Sequence, residues 1–262
     1  DKDGSMDVLS ASQNDNKISL YHNDGYDAWG QLQFEEQIIT QDAFGADIVK
    51  AVDIDGDGYR DIISSSIYDN KITWFKNDGN YNGSEDFAES FIIDNDANSV
   101  KSIHLLDFES DEDIDILTAQ SNGVMLYLNN GGSFSKIYIS AQAADDVYGK
   151  DINSDGYVDI LVSSILLDQL LLLINTSDGD GISFAEPQYI DMVAGSNSIR
   201  INNLDADGIE ASDVDGSLTP SIPYSDIITM TYATNILSWY KNDGSGNSVE
   251  YIINDNNTSE GS

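Results

Sequence analysis

The chain has 262 residues, of which 47 are acidic and 11 basic, and its formal net charge of −36 excludes nucleic acid, whose phosphates require a basic surface. It has no cysteine, which excludes disulfides, thiolate metal sites and cysteine nucleophiles, and no apolar run approaches the about 20 residues of a membrane span, so we expect no direct membrane insertion. Because 40% of the residues are hydrophobic and 10% aromatic, the charge indicates a folded protein that holds cations more than a disordered acidic chain.

An aspartate-rich pattern of the form D-x-D-x-D-G-x-x-D recurs five times, and each copy runs into a β-rich segment. Loop 1 opens the sequence as DKDGSMD, and loops 2, 3 and 4 are residues 53–61 (DIDGDGYRD), 107–115 (DFESDEDID) and 151–159 (DINSDGYVD). Loop 5 begins as NLDADG at Asn203 and is interrupted before its closing DIITM resumes at Asp226. Recurrence of this kind is typical of tandem structural repeats.

Three further β-rich segments accompany each loop. One precedes the loop (IVKAVD), one follows its β segment (NKISLYHNDG, NKITWFKNDG), and one completes the unit (FEEQIIT, FAESFIID). The Asn-Asp-Gly that ends NKISLYHNDG and NKITWFKNDG, the predicted third strand of a unit, supplies the positive φ angles that a tight hairpin turn requires. Four short strands per unit predict an all-β propeller, with the aspartate loop between the first and second strands of each blade. The alternative, a string of β-sandwich modules, would need about seven strands per 100 residues.

We therefore assign residues 1–262 to a single propeller domain or part of one, with units at approximately 1–45, 46–98, 99–143, 144–195 and 196–262. About five blades are recognisable, and the complete propeller has either these five or seven to eight, with blades outside this chain. The first unit lacks its first strand, so we expect the chain to be part of a larger protein or assembly.

The loops predict calcium sites, about one per loop and up to five in all. Ca²⁺ takes about six to eight oxygen ligands, and such a loop offers side chains at positions 1, 3, 5 and 9, a backbone carbonyl at position 7 and a glycine turn at position 6. The alternative is that Asp and Gly only mark turns, but a turn needs one Asp, and converging carboxylates repel each other by about 1 kcal/mol per pair even in water. Magnesium, which tends to keep its waters, suits an all-protein cage less well. The candidate ligands are Asp1, Asp3, Asp7, Asp53, Asp55, Asp57, Tyr59, Asp61, Asp107, Glu109, Asp111, Asp113, Asp115, Asp151, Asn153, Asp155, Tyr157, Asp159, Asn203, Asp205, Asp207 and Asp226.

Two loops depart from the pattern. In loop 3, Glu112 stands where the glycine is expected. In loop 5 the ninth position is Ala211, which cannot ligate, so either Asp226 returns across the insertion at 209–225 or Asp213 substitutes. That insertion has the composition of an exposed loop, and loops of this length are often functional.

The combined pattern, an aspartate loop followed by N-K-I-x-W/L-Y/F-x-N-D-G, resembles the FG-GAP/VCBS repeat family, which includes the calcium-binding blades of integrin α-subunit propellers. The resemblance covers essentially the whole chain. It implies a propeller, calcium held between the first and second strands of a blade, and an extracellular setting. Blades of this family occur in adhesins, lectins and polysaccharide lyases, so the resemblance leaves the activity open.

No catalytic constellation is evident in the sequence. His22 and His104 are interpreted as structural or surface histidines, and no nucleophile elbow, H-E-x-x-H or phosphate-binding glycine motif is present. Of the strand aromatics Tyr21, Trp74, Phe75, Trp239 and Tyr240, we expect one of each adjacent pair to pack between blades, with a sugar-stacking platform as the alternative. The sequence thus favours a non-catalytic adhesion, recognition or assembly module over part of a polysaccharide-active enzyme or a lectin.

The expected location is extracellular or at the cell surface, and the expected partner is an extracellular protein or a glycan. Four N-x-S/T sequons are compatible with a glycoprotein, and two of them, at Asn82 and Asn175, are expected on exposed turns after a third strand. The sequons lie at Asn82, Asn175, Asn256 and Asn257.

Overall fold

The computed structural model describes residues 4–79, 87–153, 155–164, 166–167, 169–177, 181–190, 199–200, 227–231, 236–242 and 248–254. Among these residues none is helical, and the chain forms nineteen β-strands arranged in five separate sheets. Within the same ranges, no helix has the length and hydropathy of a membrane span. The predicted all-β propeller of four-stranded blades is confirmed.

The second blade shows the complete arrangement. Its strands are antiparallel and follow each other in sequence order, so each pairs with the next along the chain. Loop 2 joins the first of these strands to the second, as the repeat pattern predicts. The strands are β4 (Ala46–Val52), β5 (Asp61–Ser66), β6 (Lys71–Lys76) and β7 (Glu89–Asp94).

The other blades repeat this order, and the first blade has three strands. Blade 1 consists of β1 (Val8–Ser12), β2 (Lys17–Tyr26) and β3 (Leu32–Thr40). Blade 3 consists of β8 (Val100–Leu106), β9 (Asp115–Gln120), β10 (Gly123–Asn130) and β11 (Ser133–Ser140). Blade 4 consists of β12 (Asp146–Lys150), β13 (Asp159–Ser164), β14 (Gln169–Leu173) and β15 (Gln188–Ile190). Blade 5 consists of β16 (Ile199–Arg200), β17 (Ile227–Thr231), β18 (Ile236–Asn242) and β19 (Ser248–Asn254).

In blades 2, 3 and 4 the strand that follows the aspartate loop is fully buried. All six residues of β5, β9 and β13 are buried, on both faces of the strand. Their sequences, DIISSS, DILTAQ and DILVSS, therefore lack the alternation of a half-exposed strand and combine branched apolar residues with small polar ones. Because each strand begins at a closing aspartate, that carboxylate is fixed at the edge of the core.

Buried apolar side chains from different strands pack together, and two clusters among the described residues show this. One joins Ile18 and Ala46 to Ile62 and Phe75, and the other joins Ile152 to Leu161, Leu170 and Leu172. The expectation that one of each adjacent aromatic pair packs between blades is confirmed for Phe75, which lies in the cluster with Ile18 of the first blade, and its neighbour Trp74 is buried as well. Trp74 is 4% exposed and stacks against Phe91 at 4.8 Å between ring centres, and Phe75 is 7% exposed. The side chains of Trp239 and Tyr240 lie outside the described part of the chain.

The chain divides into two compact units. The first contains residues 1–101, 112–116 and 127–137, and the second contains residues 102–111, 117–126 and 138–262. The first unit thus holds blades 1 and 2 complete, and the second holds blades 4 and 5.

A backbone link that the sequence did not reveal recurs between successive blades. The turn between the second and third strands of one blade accepts a hydrogen bond from the segment that leads into the next blade. Asn16 and Asn70 occupy these turns with φ of 56° and 54°, a left-handed conformation that asparagine tolerates. The bonds are Ala43 N to Asn16 O (3.1 Å), Ala97 N to Asn70 O (2.8 Å) and Ala144 N to Gln120 O (3.0 Å).

The hairpin turns agree only in part with the prediction from Asn-Asp-Gly. In blade 3 the turn lies at Gly131 and Gly132, between β10 and β11, as expected. In blade 1 the prediction is wrong, because Asn23 and Gly25 lie inside β2 at a register shift and the turn follows at residues 27–31. The positive φ of 77° at Gly25 serves that bulge and not the turn itself.

Candidate metal centres

Loop 2 brings three of its four predicted carboxylates together. Asp53 follows the last residue of β4 and Asp61 begins β5, so the two ends of the loop are held side by side by strand pairing. Positive φ angles of 72° at Gly56 and 87° at Gly58 let the intervening chain curl back over them. One carboxylate oxygen each from Asp53, Asp55 and Asp61 lies within 4.8 Å of the other two.

Backbone amides of loop 2 stabilise this arrangement. Gly58 N donates to Asp53 Oδ2 at 2.8 Å, and Ile54 N donates to Asp61 Oδ2 at 3.1 Å. The fourth predicted ligand, Asp57, accepts the N–H of Tyr59 at 2.8 Å through its Oδ1. In Asp53 the bonded oxygen is Oδ2, whereas Asp61 accepts N–H groups on both of its oxygens, Oδ2 from Ile54 and Oδ1 from Asn77.

The residues of loop 2 fit a divalent cation bound by oxygen. Asp53 Oδ1 is buried and has no hydrogen-bond partner, although a buried carboxylate oxygen left without a partner is costly. Burial also raises the pKa of Asp61, against the effect of the N–H donors of Asn77 and Ile54. Ligands of one Ca²⁺, at about 2.3–2.6 Å from the ion, lie at most about 5 Å apart, and the 4.8 Å spread of the three oxygens meets this limit.

A lysine from the same blade reaches loop 2. Lys76 is the last residue of β6, and its Nζ pairs with Asp55 and lies 3.5 Å from Asp57 Oδ2. The ammonium group partly offsets the charge of the loop, and it was not foreseen as part of the site.

Each of the four closing aspartates that the structure describes is held by an asparagine of its own blade in an arrangement that we call the clamp. The carboxylate Oδ1 accepts the backbone N–H of the asparagine: Asp7 from Asn23 (2.9 Å), Asp61 from Asn77 (2.7 Å), Asp115 from Asn129 (2.8 Å) and Asp159 from Asn175 (2.8 Å). The asparagine Nδ2 donates to the carbonyl just before the aspartate: Met6 (3.1 Å), Arg60 (3.0 Å), Ile114 (3.2 Å) and Val158 (3.0 Å). The sequence analysis took these asparagines for turn formers, and their regular offset from the closing aspartates is the signal that could have identified the clamp.

In blade 3 the clamp also reaches the second blade. Asn129 Nδ2 donates to Ile54 O at 2.7 Å as well as to its own blade, and Ile54 N in turn donates to Asp61. A continuous series of hydrogen bonds therefore runs from the closing carboxylate of loop 2, through the peptide at Ile54 and Asn129, to Asp115 of loop 3. Ile54 and Asn129 are buried, at 1% and 0% exposure.

Loop 4 reproduces the backbone contacts of loop 2. Burial raises the pKa of its closing Asp159, as for Asp61. Position 3 is Asn153, which accepts the N–H of Asp155 at 3.0 Å and donates to the carboxylate of the same residue at 2.9 Å. The contacts shared with loop 2 are Gly156 N to Asp151 Oδ2 (2.9 Å), Tyr157 N to Asp155 Oδ1 (2.9 Å) and Ile152 N to Asp159 Oδ2 (3.0 Å).

Loop 3 follows a related path without the glycine. Glu112 adopts φ of 75° and Ser110 φ of 61°, in the region that glycine occupies in loop 2. Asp107 accepts the N–H of Asp111 at 3.1 Å, while Asp113 accepts that of Gly131 in the adjacent hairpin at 2.9 Å. Glu109 and Asp111 are exposed. Among the described residues, the close grouping of three carboxylates occurs in loop 2 and not here.

Several predicted residues lie outside the described part of the chain. They are Asp1, Asp3, Asn203, Asp205, Asp207, Asp226, the insertion at 209–225 and the sequons at Asn82, Asn256 and Asn257. The prediction that Asn175 lies on an exposed turn is wrong. This residue is 3% exposed, and its Nδ2, the atom that would carry a glycan, donates to Val158 O.

A cleft of about 700 Å³ lies beside loops 1 and 2, between the first and second blades. Its lining mixes apolar side chains such as Met6 and Phe87 with the polar groups of His22 and Arg60. The two histidines have structural surroundings, as expected. His22 Nε2 is hydrogen-bonded to Gln37 Oε1 at 2.8 Å, and the buried His104 stacks on Tyr148 at 4.6 Å between ring centres.

Comparison with solved structures supports the architecture. The chain is 14% identical to a lectin from Agrocybe aegerita, whose structure addresses specific recognition of non-reducing terminal N-acetylglucosamine; the TM-score is 0.54, and the match covers 96% of this chain and 67% of that one. It is also 14% identical to a putative 6-phosphogluconolactonase from Bacteroides uniformis, with a TM-score of 0.53 over 96% of this chain and 69% of that one. At this identity the likeness shows the fold alone. No curated protein sequence matches the chain.

A family model described as the FG-GAP-like repeat matches three overlapping segments, residues 1–64, 53–118 and 107–162. Each segment begins with an aspartate loop and ends in the strand after the next loop, so the repeat of the model spans the same loops and blades as the structure. The matched segments span more than half of the chain, and the protein therefore belongs to the FG-GAP-like repeat family.

Proposed function

We propose that the chain is a calcium-binding propeller module that serves recognition or assembly, without catalysis, in an extracellular or cell-surface protein. The observation that carries the calcium assignment is loop 2. Its three carboxylates converge within 4.8 Å, and Asp53 Oδ1 is buried without a hydrogen-bond partner. Asp53, Asp55, Asp57 and Asp61 would hold the ion there, and Asp151, Asn153, Asp155 and Asp159 would do so in loop 4.

Electrostatics supports this assignment for the module as a whole. A folded chain with a net charge of −36 repels itself, and carboxylates about 4 Å apart repel by about 1 kcal/mol per pair in water and more near a protein surface. Bound divalent ions remove this repulsion where it is strongest, at the loops. A medium rich in calcium and salt, as found outside cells, provides both the ions and the screening.

Calcium titration in a calorimeter tests the metal half of the proposal. We expect saturable binding to the purified chain and a higher melting temperature in calcium than in EGTA, since a ligand that binds only the folded state stabilises it. Asp53→Asn, which keeps the shape of the side chain, should abolish the binding heat of the loop 2 site and leave that of the other sites. Identical melting curves in calcium and after exhaustive EGTA dialysis would refute calcium binding.

The recognition half of the proposal has a second candidate within it, a carbohydrate-binding lectin. The fold shared with the A. aegerita lectin supports a glycan as one class of partner, and the cleft of about 700 Å³ has the volume of many ligand sites. An extracellular protein partner remains the alternative. Retention of the chain on immobilised glycans or proteins in calcium, lost in EGTA, distinguishes the two.

A polysaccharide-active enzyme is the competing function. Lyase-type chemistry needs a base beside an acidic-sugar subsite. The proposed metal sites account for the loop carboxylates, and the chain has only 11 basic residues in all. Incubation with calcium and a panel of acidic and neutral polysaccharides decides the matter. New unsaturated or reducing ends would show that the chain is an enzyme and would refute the proposed non-catalytic role.

A further inference from the structure

Lys76 gives loop 2 a cation of its own. Its Nζ pairs with Asp55 and lies 3.5 Å from Asp57 Oδ2, and its side chain is 26% exposed, against 13% for Asp55 and 31% for Asp57. We propose that Lys76 is a tethered counter-ion that competes with calcium for loop 2, so that this loop binds calcium more weakly than it would without the lysine. The inference rests on the calcium sites proposed above.

The competition follows from the chemistry of the two cations. An ammonium group has three donors and no acceptor, so it cannot share in ligating a metal ion. Asp55 occupies position 3 of the loop, where a carboxylate oxygen is expected to bind calcium directly. For Asp55 to bind the ion through the same oxygen, the ammonium must move away. Binding at loop 2 therefore includes the loss of an ion pair that is already formed.

Blades 1, 3 and 4 carry different residues at the position of Lys76, which is the one just before the clamp asparagine, whereas blade 5 has Lys241 at the corresponding position of its sequence. Blades 3 and 4 have Leu128 and Ile174 there, and blade 1 has His22, which bonds to Gln37. Ile174 packs against the apolar cluster of blade 4 and brings no charge to loop 4. Loops 2 and 4 share their backbone contacts but differ in charge at two positions, because loop 2 has Asp55 and Lys76 where loop 4 has Asn153 and Ile174. Replacing Lys76 alone, with loop 4 as an internal reference, therefore isolates the effect of the lysine.

Two consequences follow for loop 2. Without metal, the lysine relieves repulsion among the carboxylates, so the second blade is less dependent on calcium than it would be without the lysine. As calcium falls, loop 2 releases its ion at a higher calcium concentration than it would without the lysine.

The test is a calcium titration of the whole chain labelled with ¹⁵N-glycine, followed by NMR. The amides of Gly58 and Gly156 bond to the first aspartate of loops 2 and 4, at 2.8 and 2.9 Å, and serve as matched reporters. Lys76→Met keeps the aliphatic stem and removes the charge, while Lys76→Arg keeps the charge. We expect Lys76→Met to lower the calcium midpoint at Gly58 about tenfold or more, with Gly156 unchanged and Lys76→Arg close to the parent chain.

A second readout needs no bound metal. In EGTA, Lys76→Met should melt at a lower temperature than the parent chain, because the acidic loop has lost its counter-ion. The reciprocal change Ile174→Lys should raise the midpoint at Gly156 by a similar factor if the variant folds, and the Lys76 pair decides the question if it does not. A Gly58 midpoint that Lys76→Met leaves unchanged or raises, while Gly156 still responds to calcium, would overturn the role of Lys76 and leave the calcium sites standing. Absence of any response at both glycines would overturn the calcium sites, and the role of Lys76 with them.

Discussion

Loops 2 and 3 have the same position in neighbouring blades and differ in what they gather. In both, the closing aspartate is fully buried and clamped by an asparagine, at 2.7 Å for Asp61 and 2.8 Å for Asp115. In loop 2 the glycines let three carboxylates converge within 4.8 Å, whereas in loop 3 Glu112 takes the left-handed turn and Asp113 bonds to Gly131. The blade therefore fixes the end of loops 1 to 4, and a comparison of loops 2 and 3 shows that the residues inside a loop decide how closely its carboxylates converge.

The largest expected effect is the removal of calcium. A site filled at about 100 times its Kd contributes about 2.7 kcal/mol to folding stability, so EGTA should lower the melting temperature of the chain by several degrees. If loop 2 binds calcium more tightly than loop 3, Asp53→Ala should abolish more of the calcium-dependent increase in melting temperature than Asp107→Ala, the equivalent change in loop 3. Circular dichroism melts in calcium and in EGTA measure the difference, and equal losses in the two variants would contradict the comparison.

The clamp gives the next largest effect and tests what the two loops share. Asn129→Ala removes hydrogen bonds to Ile54 O and Ile114 O, leaving two buried carbonyls unpaired at about 1–3 kcal/mol each. We expect a loss of about 2–4 kcal/mol in urea unfolding.

Asn175→Ala is the matched control in blade 4, where the side chain donates to the single carbonyl of Val158. It should cost roughly half as much as Asn129→Ala. Because Asn129 also connects loops 2 and 3, we expect Asp111→Ala to shift the calcium midpoint at Gly58 when Asn129 is present. The same substitution should leave that midpoint unchanged in the Asn129→Ala chain. Should the Asp111 substitution still shift the Gly58 midpoint after Asn129 is lost, the connection does not pass through this side chain.

The sequence predicted what repeats and missed what links the repeats. Strand order, the place of the described loops and the packing of Phe75 between blades followed from turn signals, apolar segments and recurrence. The clamp was missed because these asparagines look like turn residues, and only the fold shows their side chains directed at a carbonyl 15 or 17 residues away. They are Asn23, Asn77, Asn129 and Asn175.

The sequence also did not predict which charged side chains meet in the fold. Lys76 is one of 11 basic residues, and its distance from Asp55 along the chain gave no sign that β6 delivers it to loop 2. The burial of Asn175 has the same origin. A sequon records local composition, whereas the exposure of its asparagine depends on a partner in another strand. Long-range pairing, and not local preference, decided each of these outcomes.

A smaller effect tests whether a contact between blades 2 and 3 that lies away from the loops influences calcium binding. Asp94, at the end of β7, accepts hydrogen bonds from Tyr127 at 2.5 Å and from Lys136 at 2.6 Å. Asp94→Asn should cost about 1–2 kcal/mol because it removes the charge from these bonds, and it should leave the calcium midpoints of loops 2 and 3 unchanged.

The pH dependence of this contribution has a definite sign. Burial alone would raise the pKa of Asp94, but the donors Lys136 and Tyr127 hold it below its usual value. A carboxylate with a lowered pKa stabilises the fold above its unfolded pKa of about 4, and this stability is lost as the pH falls through the folded value. The difference in unfolding free energy between the parent chain and Asp94→Asn should therefore shrink below about pH 4. Tyr127→Phe, which keeps the carboxylate, should show a smaller cost and retain the pH dependence.

The smallest expected effect is the most direct test of why loop 3 collects its ligands less well. Glu112 has φ of 75°, which costs a residue with a side chain about 1–2 kcal/mol, while glycine costs about 0.5–1 kcal/mol in lost chain entropy. Glu112→Gly should therefore stabilise the chain by a few tenths to about 1 kcal/mol in EGTA, and Gly58→Ala, at φ of 87° in loop 2, should destabilise it by a similar or larger amount. Glu112→Asn separates strain from charge, because asparagine tolerates this backbone and is neutral. If strain is the cause, the glycine variant is more stable than the asparagine variant or equal to it, and both exceed the parent. A Glu112→Gly chain that unfolds at lower urea than the parent, in calcium and in EGTA alike, would show that the side chain of Glu112 supports loop 3, and the difference between the two loops would then need another cause.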